Sequence, residues 1–449
     1  MNFTPLPHQP RMIEWVQDRD SSALFCSPGM GKTVTVLTVL DNWRTEGEAN
    51  GALIVGPIRT LSVTWPNQIA LWGHTRWMRV AQLRTPEGIK AWHDHSADVY
   101  LINPEMLPKV LPKLFKGLKK MPVDTIIVDE LSLAKNPQSK RFNALRPYLK
   151  YFRKRVGLTG TPVPNNYLDL FAQIRLLDDG NRLGKAFYAY RQSFFTSDYM
   201  GFKWTINKGA KETIDNKLAD LCLVMLGDDY LDVPTCSTED VEVAMPPEAK
   251  AAYKTLEKEL LLELEHEPDV VAMSAAVLAN KLLQATSGAI YTEEKTVHVL
   301  HDAKIKALQG IRKKHGKEPI LVLTAYKHEM ERVLQAIPGS RKFDERDMDE
   351  WQSGRIHTWV SHFGSLSHGI DGIQKSCSKA VWVTLPWSHE GYVQTNARVV
   401  RTGQSHETTI YRLITPGTMD EAVCEALRTK SDTESGLLMA LKALQQLKK

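Results

Sequence analysis

At 449 residues the chain exceeds what a single hydrophobic core organises, which points to two or three domains. With 43% hydrophobic and 24% charged residues it is neither a disordered chain nor a helical membrane protein, and its net charge of +5 permits nucleic acid as a partner without demanding it. The longest apolar runs are strand-sized, the start MNFTPLPHQPRM lacks a signal-peptide core, and the five cysteines are scattered, so a cytoplasmic protein with reduced thiols is expected.

The first 178 residues repeat one pattern, a short β-rich apolar run followed by turn residues and a helical stretch. The runs are Ser22–Cys26, Ala52–Gly56, Asp98–Ile102, Asp124–Val128 and Arg155–Leu158. Near-continuous apolar strands alternating with helices predict a parallel sheet covered on both faces. From about Asp179 to Leu300 strand signals thin out. Pro246–Glu267 reads as a long amphipathic helix and Val270–Leu283 resumes helical spacing, so 179–300 reads as a mainly helical insertion or bridge. The α/β pattern returns in 301–449 with Pro319–Thr324, Ile356–Val360, Ala380–Thr384 and Thr408–Ile414. The fold class is α/β, two parallel-sheet lobes joined by that bridge. Two basic runs, Lys109–Lys120 and Lys150–Arg155, are candidate phosphate contacts or merely solvated faces.

Ser27-Pro28-Gly29-Met30-Gly31-Lys32-Thr33 follows the strand Ser22–Cys26 and opens a helix over Val34–Trp43. Glycines let backbone N–H groups approach phosphate oxygens, and the helix N-terminus adds positive partial charge. Lys32 can reach β- and γ-phosphates and the Thr33 hydroxyl can ligate Mg²⁺. Cys26 stands where the GxxxxGK[ST] pattern has its first glycine. Thr125–Val128 then delivers Asp129 and Glu130 at a strand's carboxyl end, where ligands of open α/β sheets sit. Asp129 suits Mg²⁺; Glu130, pointing the other way, suits orienting and deprotonating a water. Together these predict a nucleotide hydrolase that uses Mg²⁺.

Leu158-Thr159-Gly160-Thr161-Pro162 ends the next strand with hydroxyl groups able to sense a γ-phosphate, or to form an ordinary hydrogen-bonded turn. Far downstream, Gln394, Arg398 and Arg401 in QTNARVVRTGQ are spaced to share one helix face. Two guanidiniums there make sense as fingers on ATP held by the other lobe. Without the upstream loop they would read as a solvated surface helix.

SPGMGKT, VDEL, LTGTPVPNN and QTNARVVRTGQ occur in the order seen in superfamily 2 helicases. LTGTP followed by Asn165-Asn166, and RTGQ running into Tyr411-Arg412-Leu413-Ile414 and Gly417-Thr418, resemble the Snf-type branch of chromatin-remodelling motors and their bacterial and phage relatives. Leu6-Pro7-His8-Gln9 resembles the early glutamine motif, which makes Gln9 an adenine-reading candidate. Ile54–Pro57 with Trp65 resembles the first nucleic-acid-contacting motif, and Ser367–Gln374 resembles the compact bacteriophage-type members. Glu130 is followed by Leu131-Ser132 where remodellers carry glycine–histidine.

The resemblance implies two RecA-like lobes with ATP in the cleft and nucleic acid crossing both. It adds Gln394 and Gly369 to the nucleotide-binding set. It places nucleic-acid contacts at Arg59, Thr60, Asn103, Ser361 and His362. The expected partner is DNA, duplex above single-stranded, with RNA less favoured, in a host bacterial cytoplasm if the chain is of phage origin. The rival expectation is an ATP-gated clamp or loading factor that holds DNA or a protein without translocating.

Overall fold

A computed structural model describes residues 1–160, 167–197, 204–230, 234–266, 271–292, 294–366, 372–401 and 403–428. Gly369, together with the Thr161–Asn166 part of the LTGTP motif, lies outside the described residues. The chain separates into two compact units, Met1–Leu231 and Asp232–Lys449. Among the described residues no helix is long and apolar enough to cross a membrane.

In the first unit seven strands lie in the order Val80–Gln82, Val99–Ile102, Ala52–Val55, Thr125–Asp129, Lys154–Thr159, Ser21–Cys26 and Cys222–Met225. Every neighbouring pair is parallel. Parallel strands need crossovers, and the sequence supplies them as helices such as Lys32–Thr45 and Leu107–Phe115. Strand residues alternate between two apolar clusters. Leu53 and Val55 pack with Trp92, Leu111 and Phe171, while Ala52 and Ile54 pack with Trp43 and Trp65. This two-sided burial explains why the strands read as continuous apolar runs.

The stretch 179–300, read above as a helical bridge, contributes to both units. Helices Phe187–Phe194 and Ala210–Leu218 and the strand Cys222–Met225 belong to the first. Helices Pro247–His266 and Val271–Ser287 belong to the second, where Tyr253, Leu278 and Leu282 share a core with Leu321 and Leu323.

The second sheet runs Cys236–Glu242, Thr408–Ile414, Lys379–Trp382, Ile320–Thr324, Thr358–His362 and Arg341–Lys342, again parallel throughout. Cys236–Glu242 is exposed along almost its whole length, so backbone pairing and the Arg412–Asp240 ion pair hold it rather than apolar burial.

One charged pair is sealed inside this unit. Lys304 Nζ lies 2.8 Å from Asp420 Oδ2 and donates to the Val383 carbonyl at 2.9 Å. Asp420 Oδ1 accepts from Thr286 Oγ1 at 2.9 Å and Oδ2 from the Thr415 amide at 2.9 Å. Both side chains are almost wholly buried. Removing one partner would strand the other charge, which costs about 3–5 kcal/mol. Asp420→Ala is therefore expected to lower unfolding stability by about that much in urea titration. Lys304→Met combined with Asp420→Leu should recover a substantial part, and an Asp420→Ala variant as stable as wild type would show that the pair contributes nothing.

Candidate nucleotide and nucleic-acid site

Strand Ser21–Cys26 runs directly into the loop Ser27–Gly31, and helix Lys32–Thr45 begins at its end. Gly29 and Gly31 have φ of 87° and 75°, the left-handed backbone that a Cβ resists. At Gly31 a Cβ would also come within 2.1 Å of Gln9 Nε2. Buried Gln9 accepts from the Leu6 amide through Oε1 at 2.7 Å, and His8 Nε2 is hydrogen-bonded to the Met30 carbonyl at 2.9 Å. The start of helix Gln9–Gln17 is thus fastened over the loop. Pro28 and Thr33 are half-buried beside it.

Lys32 Nζ donates to the carbonyls of Cys26 and Ser27, at 2.7 and 3.0 Å. Ser27 Oγ accepts from the Gly227 amide at 2.9 Å, which ties the loop to the segment after the edge strand. Burial pushes the Cys26 thiol up to about 11, so it stays neutral and serves as packing.

Strand Lys154–Thr159 lies between the loop's strand and Thr125–Asp129, and all three leave the same carboxyl edge. Asp129 Oδ2 accepts from the Trp65 indole at 2.8 Å. Burial raises the Asp129 carboxyl above its ordinary range, opposed by the Trp65 hydrogen bond and the nearby Lys32 ammonium. Glu130 has φ 78° and ψ 82°. Its amide donates to the Leu158 carbonyl at 3.0 Å, and Oε1 accepts from Thr159 Oγ1 at 2.9 Å. The backbone turns left-handed at Glu130, a conformation that costs a non-glycine residue about 1–2 kcal/mol, and its carboxylate is held by the neighbouring strand. Thr159, half of an ambiguous turn signal in the sequence, proves to be the side chain that anchors Glu130.

These groups fit a Mg²⁺–nucleotide. The loop forms a cradle that a Cβ at Gly31 would fill, the helix N-terminus adjoins it, and Thr33 and Asp129 supply hard oxygen donors.

Three expectations need correction. Gln394, Arg398 and Arg401 do not share a helix face: the helix His389–Asn396 ends first. Residues 397–399 leave it in turns; Asn396 Oδ1 accepts from the Trp382 indole at 2.9 Å, and Gln404 Nε2 donates to the carbonyls of Cys377 and Val399. Arg398 Nε donates to the Leu366 carbonyl at 3.0 Å, and Gln394 Nε2 to Glu390 at 3.1 Å. In the run Lys150–Arg155, Lys150 and Arg153 are exposed, but the other two cations are turned inward. Lys154 is buried at the start of its strand between Asp20 and Glu48, at 3.1 and 2.9 Å, and Arg155 pairs with Asp179 at 2.8 Å.

Among the nucleic-acid candidates, Arg59 and Thr60 are half-exposed at the π-helix Thr60–Thr64. Asn103 and Ser361 are instead buried. Asn103 Nδ2 donates to Glu105 at 2.8 Å, and Ser361 Oγ donates to the His362 carbonyl at 3.1 Å. His362 Nε2 is engaged with the Ala325 carbonyl at 2.9 Å. The third correction is that Asn103 and Ser361 offer no side chain to solvent.

The sequence pattern of the SNF2-related domain matches residues 8–302, a span that holds the loop, the acid pair and Thr159. The chain belongs to the SNF2-related family. On that membership it is an SNF2-type ATP hydrolase. It is 32% identical to "Putative protein p41" of Acyrthosiphon pisum secondary endosymbiont phage 1, over 98% of this chain and 99% of that protein. It is 22% identical to "Uncharacterized ATP-dependent helicase YqhH" of Bacillus subtilis, over 96% of this chain and 78% of that protein. Among solved structures, the Sulfolobus solfataricus SWI2/SNF2 ATPase core in complex with dsDNA aligns with 98% of this SNF2-related chain and 95% of its own, at 18% identity and a TM-score of 0.46.

Gly31→Ala combines a strained φ with a clash on Gln9. It is expected to weaken binding of a fluorescent ATP analogue at least tenfold, about 1.4 kcal/mol. Unchanged affinity in that titration would mean the loop accommodates a Cβ.

Proposed function

We propose that this protein is a DNA-stimulated ATP hydrolase that uses ATP turnover to translocate along duplex DNA. The observation that carries the reading is the convergence, at one sheet edge, of the Gly29–Lys32 loop, Asp129 and Thr159-anchored Glu130. In this reading the adenine lies against Gln9, the phosphates on the loop amides, and the Lys32 ammonium exchanges its carbonyl partners for phosphate oxygens. Thr33 and Asp129 hold Mg²⁺, which when bound neutralises charge on the β- and γ-phosphates. The Glu130 carboxylate orients a water in line with the γ-phosphorus and takes its proton, while Thr159 keeps that carboxylate from rotating away. Arg398 and Arg401, from the second unit, supply positive charge to the γ-phosphoryl group as it transfers. Gln394 and Gly369 complete the nucleotide contacts in this assignment.

Nucleic-acid contact falls to Arg59 and Thr60, with phosphate-directed hydrogen bonds dominating because a motor must tolerate every sequence. The helicase-type relative in Bacillus subtilis supports the motor over a passive clamp, as does the joint presence of a water-activating glutamate and two arginines. Multiple turnovers that scale with DNA length distinguish the motor; a clamp would stop after stoichiometric or slow hydrolysis.

Lys32→Ala is expected to abolish hydrolysis, whereas Glu130→Gln should bind ATP within a fewfold of wild type and fail to turn it over. Arg398→Ala and Arg401→Ala should each lower the rate by about 10³-fold. Nucleotide titration beside steady-state phosphate release separates binding from chemistry. Near-normal turnover in the Glu130 variant would remove it from the base role.

Steady-state hydrolysis should rise more with duplex DNA than with single strands or RNA, and the stimulation should fall steeply with salt as released counterions disfavour contact. A triplex-displacement assay should report movement while a forked duplex stays largely unseparated. Efficient fork opening without triplex displacement would point to a strand-separating helicase instead.

A further inference from the structure

Trp65 lies wholly within the first unit's core, yet its indole N–H points at the Asp129 carboxylate, 64 residues downstream. It immediately follows the π-helix Thr60–Thr64 and begins the helix Trp65–Leu71. A π-turn is an uncommon insertion in helical geometry and is found preferentially at functional sites. This one carries the half-exposed Arg59 and Thr60 at its start and Trp65 at its end.

Both ends of the segment press on the same aspartate. A Cβ at Gly56 would lie 3.0 Å from Asp129 Cβ, so the chain leaving strand Ala52–Val55 is already in close contact with it. At the far end Trp65 holds Oδ2. Between them Thr60, whose side chain also hydrogen-bonds Asp129, donates through Oγ1 to the Pro57 carbonyl at 2.8 Å, and Gln82 Nε2 donates to the Leu61 carbonyl at 3.0 Å. The direction of the indole depends on the register of this turn. Relaxing the π-turn by one residue would rotate Trp65 about 100° around the helix axis and take its N–H off the carboxylate.

We propose that Trp65 is a positioning residue that ties nucleic-acid contact at Arg59 and Thr60 to the seating of the Asp129 carboxylate. This rests on the reading of the chain as a nucleic-acid-dependent ATPase. Phosphate bound at the start of the turn favours the register in which the indole holds Oδ2, the geometry Asp129 needs beside Thr33 to receive Mg²⁺–ATP. Because coupling between two binding sites is reciprocal, Mg²⁺–nucleotide must favour nucleic acid by the same factor.

The test uses the full chain and a fluorescent duplex oligonucleotide, with and without a saturating non-hydrolysable ATP analogue and Mg²⁺. Trp65→Phe keeps a buried ring and deletes only the donor. In wild type the analogue is expected to tighten duplex binding at least fivefold, the low end of ordinary coupling. In Trp65→Phe the ratio should collapse to within twofold of one, while the nucleotide-free duplex affinity stays within twofold of wild type. A merely structural tryptophan would alter stability and leave the ratio intact, so an unchanged ratio overturns the proposal. Hydrogen exchange of wild-type amides 56–65 gives a second readout that does not require the variant to fold: exchange should slow when analogue and Mg²⁺ are added without DNA, and unaltered exchange also overturns it. Wild-type protein that binds neither duplex, single strand nor RNA would overturn the functional reading itself, an outcome distinct from a protein that binds and couples without Trp65.

Discussion

Parallel pairing of Ser21–Cys26 with Lys154–Thr159, and of that strand with Thr125–Asp129, sends three separate chain segments out of one edge of one sheet. Each brings a different capacity: backbone amides and an ammonium from the loop, a hydroxyl from Thr159, two carboxylates from Asp129 and Glu130. Were any of these strands antiparallel, its terminal residue would emerge at the opposite edge. The apolar faces of the strands, divided between two cores, lock the register that brings Thr159 to Glu130. The geometry at this sheet edge therefore depends on packing by strand faces that carry none of these groups.

Glu130 shows how local strain is used. Its left-handed backbone is unfavourable for a residue with a side chain, and the strain persists because the Leu158 carbonyl and Thr159 hydroxyl both hold it. A relaxed β backbone at this position would continue the strand's alternation and aim the carboxylate without reference to Thr159. The turn instead makes the position of one acid dependent on the neighbouring strand, and separates its environment from that of Asp129.

Much of this was legible in the sequence where the signal is local. The glycines of SPGMGKT and the apolar run ending in an acid pair announce themselves within a dozen residues. What escaped is non-local or held by backbone alone. Val80–Gln82 spans three residues, and Cys236–Glu242 is polar and exposed, so neither carries an apolar run to recognise. The charge of Lys154 and Arg155 was plain, but Asp20, Glu48 and Asp179, their partners, are distant or unmarked in sequence. Spacing alone placed Arg398 on a helix; the helix His389–Asn396 ends before it, and Asn396 turns its side chain to the Trp382 indole. The pairing of Trp65 with Asp129 has no sequence signature whatever.

The Ser27–Gly31 loop has one support that arrives late. Cys222–Met225 forms the strand beside Ser21–Cys26, and the Gly227 amide reaches Ser27 Oγ, a contact spanning 200 residues. During synthesis the loop emerges early but lacks its neighbour until that later segment has been made. At typical elongation of about 5–20 residues per second, that interval lasts roughly 10–40 s. Throughout it the nascent loop is flanked by an unpaired strand edge, a surface on which chaperones or mispairing can act. Full pairing of the loop's own strand is thereby deferred until the last strand of the first unit has been made.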